Sequence, residues 1–146
     1  MKTWTLALPL LFASTCYAAP NKEQYELQER CGKLTKNAFE REWGRDGVVN
    51  NEDSRMLANY RNHYNAKLNK CFYLQSVAIF PKSKEQGISE EVLLYDLNEN
   101  KAYGYFHRMR KYGSGAPEAP DNCHVLENYC RSDNEWESLI KPYMEE

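Results

Sequence analysis

Residues 71–80 read CFYLQSVAIF, an uncharged run of aromatic, aliphatic and β-branched side chains. This composition is typical of a β-strand that is buried on both faces. A polar segment at 65–69, NAKLN, joins this run to residues 57–64. We therefore predict a strand, a turn and a second strand. A helix is the alternative for the first arm, because three of its side chains also fit a helical stripe: Leu57, Tyr60 and Tyr64.

A β-hairpin is expected in the next part of the chain. Residues 91–97 and 101–109 are rich in β-forming side chains, and only Asn98, Glu99 and Asn100 separate them. Two such runs with a short Asn-containing connection are typical of a hairpin. Together with the first pair of strands, they predict an antiparallel sheet of about four strands.

Amphipathic helices are expected at both ends of the domain. Residues 21–43 carry apolar side chains at helical spacing, and Gly44 is a suitable stop. Ser132 and Glu135 form a capping-box pattern ahead of a second helix, which Pro142 should kink or end. The apolar face of this helix contains Trp136, Leu139, Ile140, Tyr143 and Met144. The predicted fold class is therefore α+β, an antiparallel sheet covered by N- and C-terminal helices. Loops are expected at 44–54, 81–87 and 113–122.

Residues 1–18 have the pattern of a cleavable export signal. Lys2 supplies a positive start, residues 4–12 are apolar, and Cys16-Tyr17-Ala18 is a small-x-small cleavage site. The apolar part is too short to cross a bilayer, which needs about 20 residues. We therefore predict that residues 19–146 form one exported domain, either periplasmic or secreted.

Lipid attachment and nucleic-acid binding are less favoured. A lipoprotein signal also ends at a cysteine, but Thr15 before Cys16 is bulkier than that processing site normally accepts. The formal net charge is −2, whereas nucleic-acid-binding domains usually carry a strong basic excess. We therefore expect no nucleic acid as partner, and the sequence shows no transmembrane segment.

The cysteines indicate disulfides rather than a metal site. Five are present, and those outside the signal are Cys31, Cys71, Cys123 and Cys130. An even number in a small exported domain is typical of disulfide pairing. Three pairings are possible, and we favour 31–71 with 123–130, because the second interval closes a short local loop. Zinc sites usually show closer Cys or His pairs than this chain contains.

The segment HYNAKLNKCF, residues 63–72, resembles one in small exported bacterial proteins that are uncharacterised. The resemblance extends to the end of the chain, where Cys123 and Cys130 precede a short aromatic helix at 135–144. It does not cover residues 44–54 or 113–122. The resemblance implies a bacterial envelope setting and carries no catalytic assignment.

The local motifs of common enzymes are missing from the sequence. It contains neither a Gly-x-Ser-x-Gly elbow nor a Cys-x-x-Cys redox motif. Pairing of the cysteines would leave no free thiolate to act as a nucleophile. We expect no cofactor and no metal. An enzymatic function is the less favoured interpretation.

A small envelope hydrolase is nevertheless the alternative function. It would use either a histidine metal site or a pair of hairpin carboxylates, which glycosidases place about 5–9 Å apart. The ordinary interpretation is that these are surface histidines and solvated charges near a turn. The residues concerned are His63, His107 and His124, and Glu90, Glu91, Asp96 and Glu99.

The aromatic side chains suggest a binding surface. The chain contains 11 tyrosines, and in the second hairpin strand aromatic residues alternate with small ones. If Gly104 and Phe106 pack on the helices, the alternate side chains face outward beside a basic run. Tyr and Arg are enriched in binding hot spots, although tyrosines also complete cores with their hydroxyls in water. The predicted binding residues are Tyr103, Tyr105, His107, Arg108 and Arg110.

The leading hypothesis is an exported, non-enzymatic binding module. Inhibitors of foreign hydrolases and immunity proteins against toxins are examples of this class. The expected partner is a protein or an envelope polymer. The sequence does not indicate an oligomeric state.

Overall fold

In the computed structural model, which describes residues 22–114 and 118–145, two helices lie on opposite sides of one antiparallel sheet. The described residues form seven strands, and each strand pairs with its neighbours in sequence. The helices are α1 (Lys22–Trp43) and α2 (Asp133–Met144). The strands are β1 (Val48–Asn50), β2 (Ser54–Asn65), β3 (Lys70–Pro81), β4 (Ile88–Asp96), β5 (Lys101–Arg110), β6 (Asn122–Val125) and β7 (Asn128–Tyr129), with a 3₁₀ turn at Lys84–Gln86.

The prediction of about four strands is wrong, although the α+β class is correct. The four predicted strands correspond to β2, β3, β4 and β5. The three additional strands, β1, β6 and β7, lie at the edges of the sheet and have three, four and two residues. Strands of this length show no measurable alternation of apolar and polar side chains. Their strand conformation depends on pairing with a longer neighbour.

Helix α1 covers one side of β2 and β3. Its buried residues are Cys31, Thr35 and Phe39, which are spaced one turn apart. The Phe39 ring packs 4.6 Å from the Tyr60 ring of β2. Leu34, which the helical pattern assigns to the apolar side, is 43% exposed.

Helix α2 covers the opposite side of the sheet. Trp136 and Ile140 are buried there against Phe72, Leu94 and Phe106, with Leu139, Tyr143 and Met144 packed beside them. The apolar face of this helix is therefore the one that its sequence predicts. Hereafter, the two sides of the sheet are called the α1 side and the α2 side.

Both ends of α2 differ slightly from the predicted pattern. Ser132 Oγ accepts a hydrogen bond from the Glu135 N–H, as in a capping box, but the Glu135 carboxylate accepts from the N–H of Arg131. Pro142 does not end the helix, which continues to Met144. Pro142 lacks the N–H that would bond the carbonyl four residues earlier, but its own carbonyl accepts a hydrogen bond from Asn65 Nδ2 at 2.9 Å, which ties this end of the helix to β2.

Two disulfides connect the elements. Cys31–Cys71 attaches α1 to β3, and Cys123–Cys130 closes the β6–β7 hairpin below α2. This is the disulfide pairing that we predict from the spacing of the cysteines in the sequence. None of the described helices is long and apolar enough to cross a membrane. The predicted signal, residues 1–18 with Cys16, lies outside the described residues.

The segment HYNAKLNKCF forms the corner where β2, β3 and α2 meet. Asn65 ends β2 with 1% exposure, and its side chain bonds both the Leu68 N–H and the carbonyl of Pro142. Asn69 has a positive φ of 53°, and its side chain accepts a hydrogen bond from the Tyr64 hydroxyl at 2.7 Å. Asparagine adopts this left-handed conformation more readily than most residues.

The second half of the segment joins the corner to the core. Lys70 Nζ lies 2.7 Å from a carboxylate oxygen of the fully buried Asp96 and 2.9 Å from Glu99. The hydrogen bond to Asp96 is the main reason that the pKa of Lys70 is raised above its ordinary value, with smaller contributions from Tyr103 and Glu99. Because Cys71 forms a disulfide and Phe72 is fully buried, this segment has a structural role.

Replacement of Asn65 by alanine is expected to lower the free energy of unfolding by about 2 kcal/mol. The change removes a buried side-chain amide and leaves the Leu68 N–H and the Pro142 carbonyl without their hydrogen-bond partner. Urea unfolding of the oxidised protein measures the effect. The matched control is Asn37→Ala, an exposed position in α1 that should change stability by less than about 0.5 kcal/mol. Equal stability of the two variants would contradict the structural role of Asn65.

Candidate functional site

A β-bulge divides the predicted binding residues between the two sides of the sheet. Leu94 pairs with Gly104, but Tyr95 pairs with Ala102, so Tyr103 is the extra residue of β5. The Tyr103 ring lies 5.3 Å from Phe72 and 5.4 Å from Tyr143. Tyr103 is therefore part of the packing on the α2 side and does not lie beside Tyr105.

Arg108 also lies on the α2 side, where it is 7% exposed. Its guanidinium lies 2.7 Å from Glu90 of β4 and 2.9 Å from Asp133 in the first turn of α2. Burial opposes the positive charge, but the hydrogen bonds that Arg108 donates to Glu90 and Asp133 outweigh this effect and raise the pKa of Arg108. Arg110 approaches Glu90 at 3.7 Å. Both arginines therefore take part in ion pairs within the protein.

The charges around Arg108 line a cavity of about 280 Å³ between α2 and the sheet. Its apolar walls include Leu74, Phe106 and Trp136, and Arg61 and Glu137 also line it. Since Arg108 pairs with both Glu90 and Asp133, these carboxylates are engaged in holding α2 to the sheet.

Tyr105 and His107 project on the α1 side, beyond the part of the sheet that α1 covers. Helix α1 packs mainly against β2 and β3, so this part of β4 and β5 lies beyond its main contact area. Leu93 of β4, His124 of β6 and Tyr129 of β7 complete a continuous surface with them. We call this surface, formed by Leu93, Tyr105, His107, His124 and Tyr129, the open face.

The rings of the open face form a row across three strands. The centroid of the Tyr105 ring lies 6.4 Å from the centroid of the His107 ring and 6.4 Å from that of His124. The centroids of the His124 and Tyr129 rings are 6.0 Å apart. Tyr129 is 83% exposed, the largest value among the exposed hydrophobic residues of the described chain. An aromatic surface of this kind is an apolar patch with polar tips, which is common in protein interfaces.

Acidic groups border the aromatic row. Glu91 pairs with His107 across β4 and β5, and Asp121 lies directly before β6. Partial burial raises the pKa of the Tyr105 phenol, and the negative charge of Glu91 raises it further. The phenol is therefore kept in its neutral form over a wider pH range, in which it can donate a hydrogen bond.

His107, at the border of the open face, has a polar side chain close to each of its ring nitrogens. The Ser89 hydroxyl oxygen lies 3.0 Å from Nε2, and an Asp121 carboxylate oxygen lies 3.4 Å from Nδ1. The same carboxylate oxygen accepts a hydrogen bond from the Met109 N–H at 2.9 Å. Three segments of the chain therefore hold one serine, one histidine and one aspartate in contact.

The residues of the alternative hydrolase hypothesis are dispersed. Asp96 and Glu99 contact Lys70, whereas Glu90 contacts Arg108 on the α2 side and Glu91 borders the open face. His63 pairs with Phe72 and so lies on the α2 side, away from the other two histidines. Among the described residues, no group of three or more His, Cys, Asp and Glu side chains is arranged to hold a metal ion.

Of the predicted binding residues, Tyr105 and His107 belong to the open face, and Tyr103, Arg108 and Arg110 do not. Sequence reasoning missed Tyr129 and considered His124 only for a metal site. Both lie within the interval closed by Cys123 and Cys130. A short disulfide loop that contains two aromatic residues was a usable signal, because such loops commonly present side chains at a surface. Ser89 and Asp121 gave no local signal, since only strand pairing brings them to His107.

Comparison with known proteins adds no relative. No family model matches the chain, and neither a curated protein nor a solved structure matches it. The function is therefore inferred from the geometry of the site itself.

Replacement of Arg108 by alanine is expected to lower the free energy of unfolding by about 2–3 kcal/mol. The loss follows from leaving Asp133 without a counter-charge and Glu90 with only Arg110 at 3.7 Å. It is reduced because both carboxylates remain partly exposed to water. Chemical denaturation measures it, with the exposed Arg131→Ala as the matched control. A stability loss as small as that of the control would show that the ion pairs of Arg108 do not stabilise the fold.

The phenol of Tyr105 is expected to ionise above its ordinary pKa of about 10. Because the folded state holds this proton more tightly than the unfolded chain, the associated stability is present below pH 10 and is lost as pH rises through the raised value. Glu91→Gln should lower the pKa of Tyr105 but leave it above the ordinary value, because burial is the larger cause. Ultraviolet difference titration against Tyr105→Phe measures both effects. Ionisation of Tyr105 at or below pH 10 would contradict the assignment.

Proposed function

We propose that this chain is an exported binding protein that docks a protein partner on the open face. The observation that supports the proposal most directly is the row of aromatic rings on the α1 side of the sheet, beyond the area that α1 covers. Exposed aromatic surface is costly to leave in water, and in soluble proteins such patches commonly mark interaction sites. Tyrosine is also among the residues that contribute most to binding energy.

The geometry of the rings favours a protein over a polysaccharide. The Tyr105 and His124 rings are inclined at 51° to each other, and the His124 and Tyr129 rings at 49°. From Tyr105 to Tyr129, successive rings are thus too tilted to form a flat platform on which consecutive sugar rings stack. A protein surface has side chains at many angles and is able to fill the spaces between tilted rings.

The charges beside the rings favour a partner with basic side chains. Glu91 and the 58% exposed Asp121 border the open face, whereas Arg108 and Arg110 lie on the other side of the sheet. In this area, a lysine or arginine of the partner would contact both a carboxylate and the face of an aromatic ring. The proposed site therefore differs from the Tyr–Arg surface that the sequence predicts.

The two disulfides and the lack of a membrane-spanning helix among the described residues are compatible with an extracytoplasmic protein. The disulfides form and persist in oxidising compartments. We place the protein in the periplasm or the medium on this basis, together with the export signal predicted at residues 1–18.

The alternative, a small envelope hydrolase, has less support in the forms that the sequence suggests. Its hairpin carboxylates contact different partners on different sides of the sheet, and its three histidines do not converge. Inhibition of a foreign hydrolase and neutralisation of a toxin are both functions that a binding protein of this kind performs by covering the partner's surface.

The double variant Tyr105→Ala/Tyr129→Ala is expected to lose partner binding by at least about tenfold, since hot-spot aromatic residues contribute about 2 kcal/mol each. The oxidised protein, produced by export of the full chain, is immobilised and exposed to envelope extract at low salt. The matched control is Tyr25→Ala, which removes an aromatic ring that is 68% exposed on α1.

The expected result is one protein that the wild type and the Tyr25→Ala control retain and the double variant loses. Its retention should weaken as salt is raised, because salt screens the contacts with Glu91 and Asp121. Equal retention by the folded double variant would exclude the open face as the docking site. Co-sedimentation with isolated peptidoglycan, lost in the double variant, would instead identify an envelope polymer as the partner.

A further inference from the structure

The geometry points to Ser89 as a nucleophile that accepts an acyl group from a neutral carboxylic ester, with His107 as its base and Asp121 orienting the base. This inference goes beyond the proposed binding function and does not depend on it. It rests on the relative positions of three side chains that come from β4, β5 and the segment before β6.

Each ring nitrogen of His107 has the contact that its role requires. Ser89 Oγ lies 3.0 Å from Nε2, within reach for direct proton transfer. The Asp121 carboxylate lies 3.4 Å from Nδ1 on the other edge of the ring. A carboxylate accepts but does not donate hydrogen bonds, so Asp121 favours the tautomer with the proton on Nδ1. Nε2 is then free to accept the proton of Ser89.

The surrounding backbone holds the aspartate and the histidine in place. Asp121 accepts a hydrogen bond from the Met109 N–H and donates its own N–H to the carbonyl of His107 at 2.9 Å. The Tyr105 ring is parallel to the His107 ring within 4°. These contacts fix the base before a substrate arrives, which reduces the entropy lost in the reaction.

Solvent and small molecules reach this group. The side chain of His107 is 22% exposed and that of Asp121 is 58% exposed. Met109, which pairs with Ser89 across the sheet, is 46% exposed and offers an apolar surface for the acyl chain. A fully buried serine network would offer no such access.

The reaction transfers one acyl group from oxygen to oxygen. Ser89 Oγ forms a bond to the ester carbonyl carbon while its proton passes to His107 Nε2. The bond between that carbon and the alcohol oxygen then breaks, and the alcohol leaves with the proton from His107. Water can subsequently attack the acyl-serine by the same route, which releases the carboxylic acid and restores Ser89.

The neighbouring groups define the substrate class. Glu91 lies opposite His107, and its negative charge disfavours an anionic acyl donor. Tyr105, Leu93 and Met109 provide apolar contacts along the same side of the sheet. An ester is a better acyl donor than an amide, because its carbonyl carbon is more electrophilic and its alcohol leaves more easily. The fitting substrates are therefore neutral carboxylic esters.

Acetylation by p-nitrophenyl acetate tests the inference on the oxidised, exported protein without any partner. Peptide mapping by mass spectrometry measures the acetylation rate at each serine in the same sample. Ser89 is expected to react at least about tenfold faster than Ser54, Ser76 and Ser138, none of which contacts a histidine in the structure. This comparison needs no variant and so does not depend on the folding of one. Equal rates at the four serines would overturn the inference.

Substitutions at the two partner residues test the mechanism. His107→Gln should slow the acetylation of Ser89 about 100-fold, and Asp121→Asn about tenfold or more, because the amide favours the wrong tautomer. Ser76→Ala, on the other side of the sheet, is the matched control and should leave the rate at Ser89 unchanged. If His107→Gln does not fold, Asp121→Asn alone provides the comparison. A fast reaction at Ser89 that neither partner affects would overturn the assignment of His107 as its base.

Discussion

Burial of β3 on both sides is the constraint on which the rest of this structure depends. Phe72 and Leu74 point toward α2, whereas Cys71 and Tyr73 point toward α1, and each is at most 5% exposed. One helix is therefore needed on each side, and a single helix covers only two or three strands of a seven-stranded sheet. Because α1 lies mainly over β2 and β3, the same side of β4–β7 lies beyond its main contact area. The open face is therefore a direct consequence of where the two helices pack to bury β3.

The α2 side shows how charges and packing are combined to hold one helix. Arg108 connects β5 to β4 through Glu90 and to α2 through Asp133, while Lys70 connects β3 to the buried Asp96. Both cations are surrounded by acceptors, so neither is available to bind a partner without losing these contacts. The bulge in β5 adds Tyr103 to this packing. Basic and aromatic residues of β5 that are close in sequence therefore lie on different sides of the sheet.

The open face carries two kinds of chemistry that are compatible with each other. The aromatic row is suited to non-covalent contact, whereas Ser89, His107 and Asp121 form a contact group at its border. His107 belongs to both, since its ring lies parallel to Tyr105 and bonds Ser89. A partner that docks on the row would cover this group, so binding and reactivity at Ser89 would compete for the same surface.

The sequence by itself determined the long elements, the α+β class and the favoured disulfide pairing, because periodicity, capping residues and cysteine spacing are local properties. It also indicated Tyr105 and His107 as surface residues. Only the tertiary structure decided the three short edge strands, the side on which Tyr103, Arg108 and Arg110 lie, and the meeting of Ser89 and Asp121 with His107. The physical reason is that register, bulges and ion pairs arise between segments distant in sequence, and one extra residue in a strand reverses the side that each following residue faces.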